Sequence, residues 1–385
     1  MNKVVLVAGE ASGDAIGEGL VKKIKAAYPQ AQIYGVGGSK MISAGLIPWG
    51  TIEELSVMGI VEVLSHLPRI LKLRKKILKN TLSFKPDIYI GIDAPDFNLG
   101  LEEKFKKSGI PTIHYVSPTI WAWKPGRIKK IKRATSSVLC VFPFEPEIYK
   151  KSNHRAVYIG HPLADQINFD FTRENYCQSL GLNFKKNYLA LLPGSRKFEV
   201  ERLLPIFLET AQKFKKNYPE IQFLIPVARE SLKNLIQEHL KNYPDLSSSI
   251  HCVMGQAQAV LGASKLALLA SGTVTLEAAL LNIPSVVAYR LSNFSYWIAK
   301  KLVKLNYVSL PNLLLNQPVF PEFLQEAVTA ENLYLALKNQ YEKYQNQNPS
   351  FGPELKKLLV QNASEQALRE IEHVINTHTP FNRRR

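Results

Sequence analysis

Tyr188 to Ala211, YLALLPGSRKFEVERLLPIFLETA, constrains this chain more than any other stretch. A short apolar run, Tyr188 to Leu192, stops at Pro193-Gly194. A spaced apolar set follows: Val200, Leu203, Leu204, Phe207, Leu208 and Ala211. The first pattern predicts a buried strand and the second a helix with one apolar face, joined by a tight turn. Ser195, Arg196 and Lys197 fall in that turn. A helix N-terminus presents unpaired backbone N–H groups and a partial positive charge, and the cationic side chains beside it suit a diphosphate. The same composition also suits an ordinary turn with solvated charges. Both readings stand.

The strand-then-helix pattern recurs along the chain. Short apolar runs fall at 4–8, 33–36, 87–92, 112–116 and 138–142, and again at 189–192, 222–226, 251–253, 266–269 and 285–288. Continuously apolar strands separated by helices predict parallel sheets covered on both faces. A length of 385 residues is long for one domain. The expected fold is therefore α/β, with two doubly wound Rossmann-like domains facing across a cleft and ligands beyond the carboxyl ends of the strands. The seam falls in the polar stretch HPLADQINFDFTRENYCQSLGLNFKK that starts at His161. The expected divisions are 1–165, 166–349 and a C-terminal helical segment, 350–385. Leu355, Leu358, Leu359, Ala363, Ala367, Ile371 and Val374 mark that segment as a helical pattern from Pro353 to Asn376. It is expected to pack back on the N-terminal domain or on a second copy of the chain.

Composition narrows the partners. Apolar residues make up 46% and charged residues 21%, which suits a globular chain with a large core. The formal net charge of +17 favours an anionic partner: nucleic acid, a membrane surface or a phosphorylated substrate. Cys140, Cys177 and Cys252 are odd in number and far apart. They predict neither a disulfide framework nor a zinc site, and they suit a reducing cytoplasm. The first apolar run is too short for a signal peptide, and Glu10 interrupts it. No stretch approaches the roughly 20 apolar residues that span a bilayer.

Polar residues at the ends of predicted strands are the candidates for chemistry. Gly9-Glu10-Ala11-Ser12-Gly13-Asp14 lacks the spacing of a dinucleotide fingerprint. Its glycines still allow a ligand close to the backbone, while Ser12 and Asp14 also suit a helix cap. In Gly91-Ile92-Asp93-Ala94-Pro95-Asp96-Phe97-Asn98, Asp93 stands just past a strand and is placed to act as a general base. Asp96 and Asn98 equally suit a helix start. Trp121 and Trp123, after His114-Tyr115-Val116-Ser117-Pro118, are either a sugar or lipid surface or plain packing. The basic run that follows, with Arg127, Lys129, Lys130, Lys132 and Arg133, is either a solvated face or a phosphate contact. Ser271, Gly272 and Thr273 form a turn suited to phosphate. Glu277, one helical turn on, suits a ribose diol, against a reading as cap and solvated acid. Asn312, in YVSLPNL, is either a substrate contact or a turn asparagine.

Ile52 to Asn80 is more apolar than one buried stripe requires, with Met58, Val61 and Leu64 in its first half. Arg69, Lys72, Lys75, Lys76 and Lys79 crowd its second half, and Pro68 is expected to divide it into two helices. It reads either as a core helix with a wet basic face or as a membrane-surface element.

Taken together, LVAGEASGD, VMGIVEVL, GIDAPDFN, HYVSPTIWAW, LLPGSR, LLASGTVTLEA and YVSLPNLL resemble the bacterial lipid-A-disaccharide synthases, in that family's order and over most of residues 4–315. The resemblance implies a GT-B glycosyltransferase. It implies inverting transfer of diacylglucosamine from UDP-2,3-diacylglucosamine to 2,3-diacylglucosamine 1-phosphate, giving a β-1,6 disaccharide and UDP. By position Asp93 is the implied catalytic base. Ser195, Arg196, Ser271, Gly272, Thr273, Glu277 and Asn312 are implied on the UDP side, and Glu10, Ser12, Gly13, Asp96 and Trp121 on the acceptor side. No cofactor is implied, and the absence of an Asp-x-Asp motif favours a metal-free mechanism. The acylated substrates tip Ile52–Asn80 toward an anionic membrane, with Met58, Val61, Leu64, Arg69, Lys72 and Lys76 in contact. The implied location is cytoplasmic, peripheral on the inner face of the inner membrane, with a homodimer through the C-terminal segment left open. Two competing readings are another sugar-nucleotide enzyme, such as a UDP-GlcNAc 2-epimerase, and a basic nucleic-acid-binding protein. The second lacks a recognisable nucleic-acid module, and no nucleic-acid partner is expected.

Overall fold

A computed structural model describes residues 1–55, 60–120, 125–290 and 307–378, without the side chains of residues 11, 60–67 and 125. The chain divides into two compact units. One comprises Met1–Asp165 and the residues from Leu358 on; the other comprises Gln166–Lys357.

The first unit holds seven parallel strands. They are β1 (Lys3–Ala8), β2 (Gln32–Gly37), β3 (Ile47–Thr51), β4 (Ile88–Ile92), β5 (Thr112–Tyr115), β6 (Ser137–Cys140) and β7 (Ala156–Tyr158). Their order across the sheet is β3-β2-β1-β4-β5-β6-β7. The second unit holds β8 (Tyr188–Leu192), β9 (Gln222–Val227), β10 (Ile250–Met254), β11 (Leu266–Ala270), β12 (Ser285–Tyr289) and β13 (Glu322–Leu324). These are also parallel, in the order β10-β9-β8-β11-β12-β13. Each sheet starts in its middle, winds outward one way, then returns to wind the other way. The reversal lies between β1 and β4 in one unit and between β8 and β11 in the other. Such a switch point opens a crevice at the strand ends, where open α/β sheets bind ligands.

The central strands are apolar because both faces are covered. Val4 to Ala8, and Leu189 to Leu191, are essentially without exposure. The helix Lys197–Asn217 buries the stripe Val200, Leu203, Leu204, Phe207, Leu208 and Ala211 against β8, β9 and β11, as its spacing predicts. β3, β7 and β13 have no counterpart in the sequence reading. They lie at or near sheet edges and are too short or too polar to carry a periodic signal.

One expectation is corrected. Pro68 does not divide its segment: one helix runs Ile60–Phe84 with Pro68 inside it. Proline removes one backbone hydrogen bond, and the rest of the helix is anchored where Leu73 and Ile77 enter the core. The C-terminal helical pattern is two helices, Phe351–Leu359 and Ala363–His378. Asn362 at φ 55° breaks it, and the Asp165 carboxylate accepts hydrogen bonds from the amides of Gln361, Asn362 and Ala363 at the start of the second helix. The polar seam also carries two short helices, Pro162–Gln166 and Arg173–Ser179.

Helix Ala363–His378 lies in the first unit, against helix Ala11–Ala27. Arg155 grips Glu370 there through two hydrogen bonds of 2.7 and 2.8 Å. Among the described residues no helix is long and apolar enough to cross a membrane.

Candidate active site

In the first unit the two strands at the switch point end side by side. Ala8 pairs with Ile92, so the segments after β1 and β4 meet. Gly9 has no freedom to be larger: a Cβ there would stand 2.3 Å from the Ala94 Cβ. Glu10 is the N-cap of helix Ala11–Ala27, in extended backbone. Ser12 is exposed and Gly13 buried in its first turn. The capping role expected for Asp14 goes elsewhere. Its carboxylate accepts from the amides of Gly38 (2.7 Å) and Met41 (3.1 Å) and so holds the next helix, Ser39–Ser43.

Asp93 leaves β4 with φ 54°, and Ala94 follows at φ 42°. Two successive non-glycine residues in the left-handed region store about 1 kcal/mol or more each, and such strain collects at functional sites. It persists here because the backbone is pinned on both sides. The Asp93 N–H donates to the Tyr115 carbonyl at 2.9 Å, and its carbonyl accepts from Asn98 Nδ2 at 2.9 Å. Asn98 is fully buried. Its amide also donates to the Val7 carbonyl at 3.2 Å and accepts from the Tyr89 hydroxyl at 3.1 Å. One side chain thus ties β1, β4 and the strained turn together. Sequence reasoning saw Asn98 only as a helix-start residue.

Asp96 begins helix Pro95–Lys107, exposed, and its carboxylate pairs with the Arg127 guanidinium. Arg127 is thereby the member of the basic run that reaches the strand-end region. Lys132 instead donates to the Ser152 carbonyl at 2.9 Å. Behind β4, Glu102 and His114 share a fully buried 2.8 Å hydrogen bond. Burial pushes the Glu102 carboxyl up, and the neighbouring His114 acts against this. Trp121 and Met58 lie outside the described residues, as do the side chains of Val61 and Leu64.

The second unit repeats the plan. β8 and β11 are register partners, Leu192 with Leu269, so the turns after them adjoin. Gly194 has φ +125°, and a Cβ there would meet the Glu199 Cβ at 2.5 Å. The amides of Ser195 and Arg196 are not unpaired, contrary to the expectation for this helix start. Both donate to Glu199 Oε2, at 3.1 and 3.2 Å. A carboxylate from the chain itself occupies the anion-binding position of this turn. That leaves the Arg196 side chain as the turn's cation, half exposed and 3.5 Å from Glu199 Oε1. The signal was present in sequence as an acidic residue three positions after the helix cap.

After β11, the Ser271 N–H donates to the Ala288 carbonyl at 3.1 Å, while Gly272 and Thr273 are exposed. Helix Thr273–Leu280 starts there, and Glu277 lies one turn on, on the face of Thr273. Among the described residues its carboxyl has no hydrogen-bond partner, and burial pushes it up to about 7.

Asn312 has its own partners within the unit. It is buried, its Nδ2 donates to Phe320 O and Glu322 Oε1 at 2.8 Å each, and its Oδ1 accepts from Phe320 N at 2.8 Å. Both N–H groups of the amide are thus spent inside the unit. Among the described residues no group of three or more His, Cys, Asp or Glu side chains could hold a metal ion.

The family model described as lipid-A-disaccharide synthetase matches residues 4–373. The lipid-A-disaccharide synthase of Actinobacillus pleuropneumoniae serotype 7 is 44% identical over 383 residues, covering 98% of this chain and 97% of that protein. That of Haemophilus influenzae strain PittEE is 48% identical over 338 residues, 86% of each. Among solved structures, the UDP-GlcNAc 2-epimerase of Neisseria meningitidis bound to UDP-GlcNAc superposes with a TM-score of 0.63 at 12% identity, over 96% of this chain and 100% of that one. At that identity the likeness is one of fold.

Proposed function

The chain belongs to the lipid-A-disaccharide synthase family, and from that premise we propose how its residues divide the work. The enzyme is a glycosyltransferase. It joins the sugar of UDP-2,3-diacylglucosamine to 2,3-diacylglucosamine 1-phosphate, forming the β-1,6 disaccharide phosphate and UDP. One observation supports the assignment of residues most: the conspicuous polar segments flank the two switch points, 9–13 with 93–96 in one unit and 195–196 with 271–277 in the other.

In the first unit Asp93 is the general base. The acceptor 6-hydroxyl is a weak nucleophile, and a carboxylate that takes its proton during attack typically contributes about 10²–10⁴-fold. Glu10, Ser12, Gly13, Asp96 and Trp121 belong to the acceptor side. In the second unit UDP leaves with growing negative charge, which the Arg196 guanidinium and the Ser271–Thr273 turn stabilise. Because Glu199 holds the amides of Ser195 and Arg196, the diphosphate is read there through the Arg196 side chain. Glu277 accepts from the ribose diol. Asn312 serves the donor side by bracing its loop.

Glu277 gives the donor side a pH dependence. A diol donates to the ionised carboxylate, and the carboxyl sits at about 7. The acid form prevails below that value and the binding form above it. UDP affinity should therefore rise about tenfold between pH 6 and pH 8. Glu277→Gln should bind more weakly at pH 8 and lose this part of the pH dependence; titration calorimetry at both pH values measures it. An unchanged pH profile in the variant would remove Glu277 from the ribose.

The acylated substrates call for a lipid surface, and the described half of helix Ile60–Phe84 fits one. Leu73 and Ile77 enter the core, while Arg69, Lys72 and Lys76 are exposed beside Leu71, which is 46% exposed. Each cation near an anionic bilayer contributes about 1 kcal/mol. On this reading the enzyme is a peripheral protein on the cytoplasmic face of the inner membrane, with Met58, Val61 and Leu64 as further lipid contacts. Ala367, Ile371 and Val374 are already buried in one chain, so a dimer through the C-terminal segment would use the helix's other face or exchange the helix between copies.

One assay tests the reading. UDP should be released from UDP-diacylglucosamine only when diacylglucosamine 1-phosphate is supplied, and UDP-GlcNAc alone should yield no 2-epimer. Epimerisation without a lipid acceptor would favour the enzyme class suggested by fold likeness. With the acceptor in anionic vesicles, turnover should fall as salt rises. Salt-independent turnover would move lipid delivery away from Arg69, Lys72 and Lys76.

A further inference from the structure

Glu322 opens β13, the edge strand of the second sheet, and its carboxylate accepts four hydrogen bonds from residues 308–312, the end of a loop and the first turn of helix Leu310–Leu315. The Val308 amide donates to Oε2 at 2.8 Å. The Ser309 amide, the Ser309 hydroxyl and Asn312 Nδ2 donate to Oε1 at 2.8, 2.6 and 2.8 Å. Ser309 and Asn312 are buried. A carboxylate is an acceptor with no donor, and here Oε1 takes three of these bonds and Oε2 one. The two polar side chains of the loop, Ser309 and Asn312, both turn inward to this acid.

The loop reaches the donor turn. The Val308 carbonyl accepts from Ser271 Oγ at 3.5 Å, and Ser271 stands immediately before Gly272 and Thr273. The Ser271 amide is tied on its other side to the Ala288 carbonyl. Ala288 lies in β12, next to Val287, the register partner of Glu322. Edge strand, loop, turn and inner strand thus close a ring: Glu322, Val308, Ser271, Ala288. Among the described residues only β12 pairs with β13 in the sheet, so the acid's grip on residues 308–312 is a main link between that edge and the turn.

We infer that Glu322 is a positioning residue for the sugar-nucleotide donor. Its carboxylate sets the place of the 308–312 loop and, through the Val308 carbonyl, of the Ser271–Thr273 turn that receives the diphosphate. This rests on the reading that UDP binds the second unit. It also gives Asn312 its function: the amide that seemed placed to touch substrate is a strut for the loop.

Glu322→Gln tests it with no change of shape. A glutamine brings an NH₂ where the loop brings only donors, so at least one amide of the loop faces another donor and loses its partner. The expected result is a rise of about tenfold or more in the donor KM and the UDP Kd, with kcat within about threefold. Hydrogen exchange should accelerate at the amides of Val308 and Ser309 and stay slow in β8 and β11. A part in folding alone would lower the melting temperature and the folded yield and leave the KM of the folded enzyme where it was. Unchanged KM and Kd would overturn the inference, as would unchanged exchange at Val308 and Ser309. Arg196→Ala is measured alongside. If it weakens UDP binding and Glu322→Gln does not, the positioning role alone fails. If neither does, the donor assignment to this unit fails and takes the inference with it.

Discussion

Asp93→Asn should lower turnover by about 10²–10⁴-fold while the protein stays folded and binds UDP as before. Asparagine keeps the shape of the side chain but cannot take a proton at neutral pH. It also tolerates the left-handed backbone at this position, φ 54°, so the turn survives the exchange. The hydrogen bonds that pin the turn involve the Asp93 main chain, not its carboxylate. UDP affinity should hold because the residues assigned to it lie in the other unit. UDP release under saturating donor and acceptor, UDP titration and a thermal melt check the three parts. Near-normal turnover would end the role of Asp93 and turn attention to Glu10 or Asp96. Asp96 starts with a handicap, since its carboxylate is already paired with Arg127.

Asn98→Leu is expected to damage both stability and turnover. The side chain fits by volume, but three buried groups lose a partner: the carbonyls of Val7 and Asp93 and the Tyr89 hydroxyl. Unpaired buried polar groups cost about 1–3 kcal/mol each, reduced where a second partner remains. A net loss of about 3 kcal/mol would lower the melting temperature by roughly 6–12 °C for a unit of this size. The catalytic effect follows from the Asp93 carbonyl. Without the Asn98 bond the strained pair Asp93-Ala94 can relax, and a displaced base typically costs about tenfold or more. kcat should fall by that order below the melting point, with UDP Kd unchanged. A melting temperature within a degree of wild type, or full turnover at a temperature where the variant is folded, would count against Asn98 as the pin of this turn.

The elements that were legible in the sequence share a cause. β1, β4, β8 and β11 are continuously apolar because both faces of a parallel sheet are covered, and helix Lys197–Asn217 is striped because one face is. Burial of an element leaves its mark on the residues of that element. The candidate residues were legible for a related reason. Asp93, Arg196 and Thr273 follow strands, and a polar residue just past an apolar run stands at a strand end wherever the sheet lies. The seven motifs then tied those ends to one family.

What stayed hidden was the pairing of distant polar groups and the order of the strands. Nothing in the run Val4 to Ala8 says that β4 rather than β5 lies beside it, so the switch points came only with the folded sheets. Asp14 hands its carboxylate to an amide 24 positions away, Asn98 reaches a carbonyl 91 positions away, and Glu322 gathers donors from 10 to 14 positions upstream. The partners of Asn312, Phe320 and Glu322, likewise carry no local pattern. Pro68 looked like a break because the packing that retains its helix lies in residues elsewhere in the core. Periodicity reports how much of an element is covered. A hydrogen bond depends on which atoms cover it, and the chain settles that only when separated segments are brought into contact.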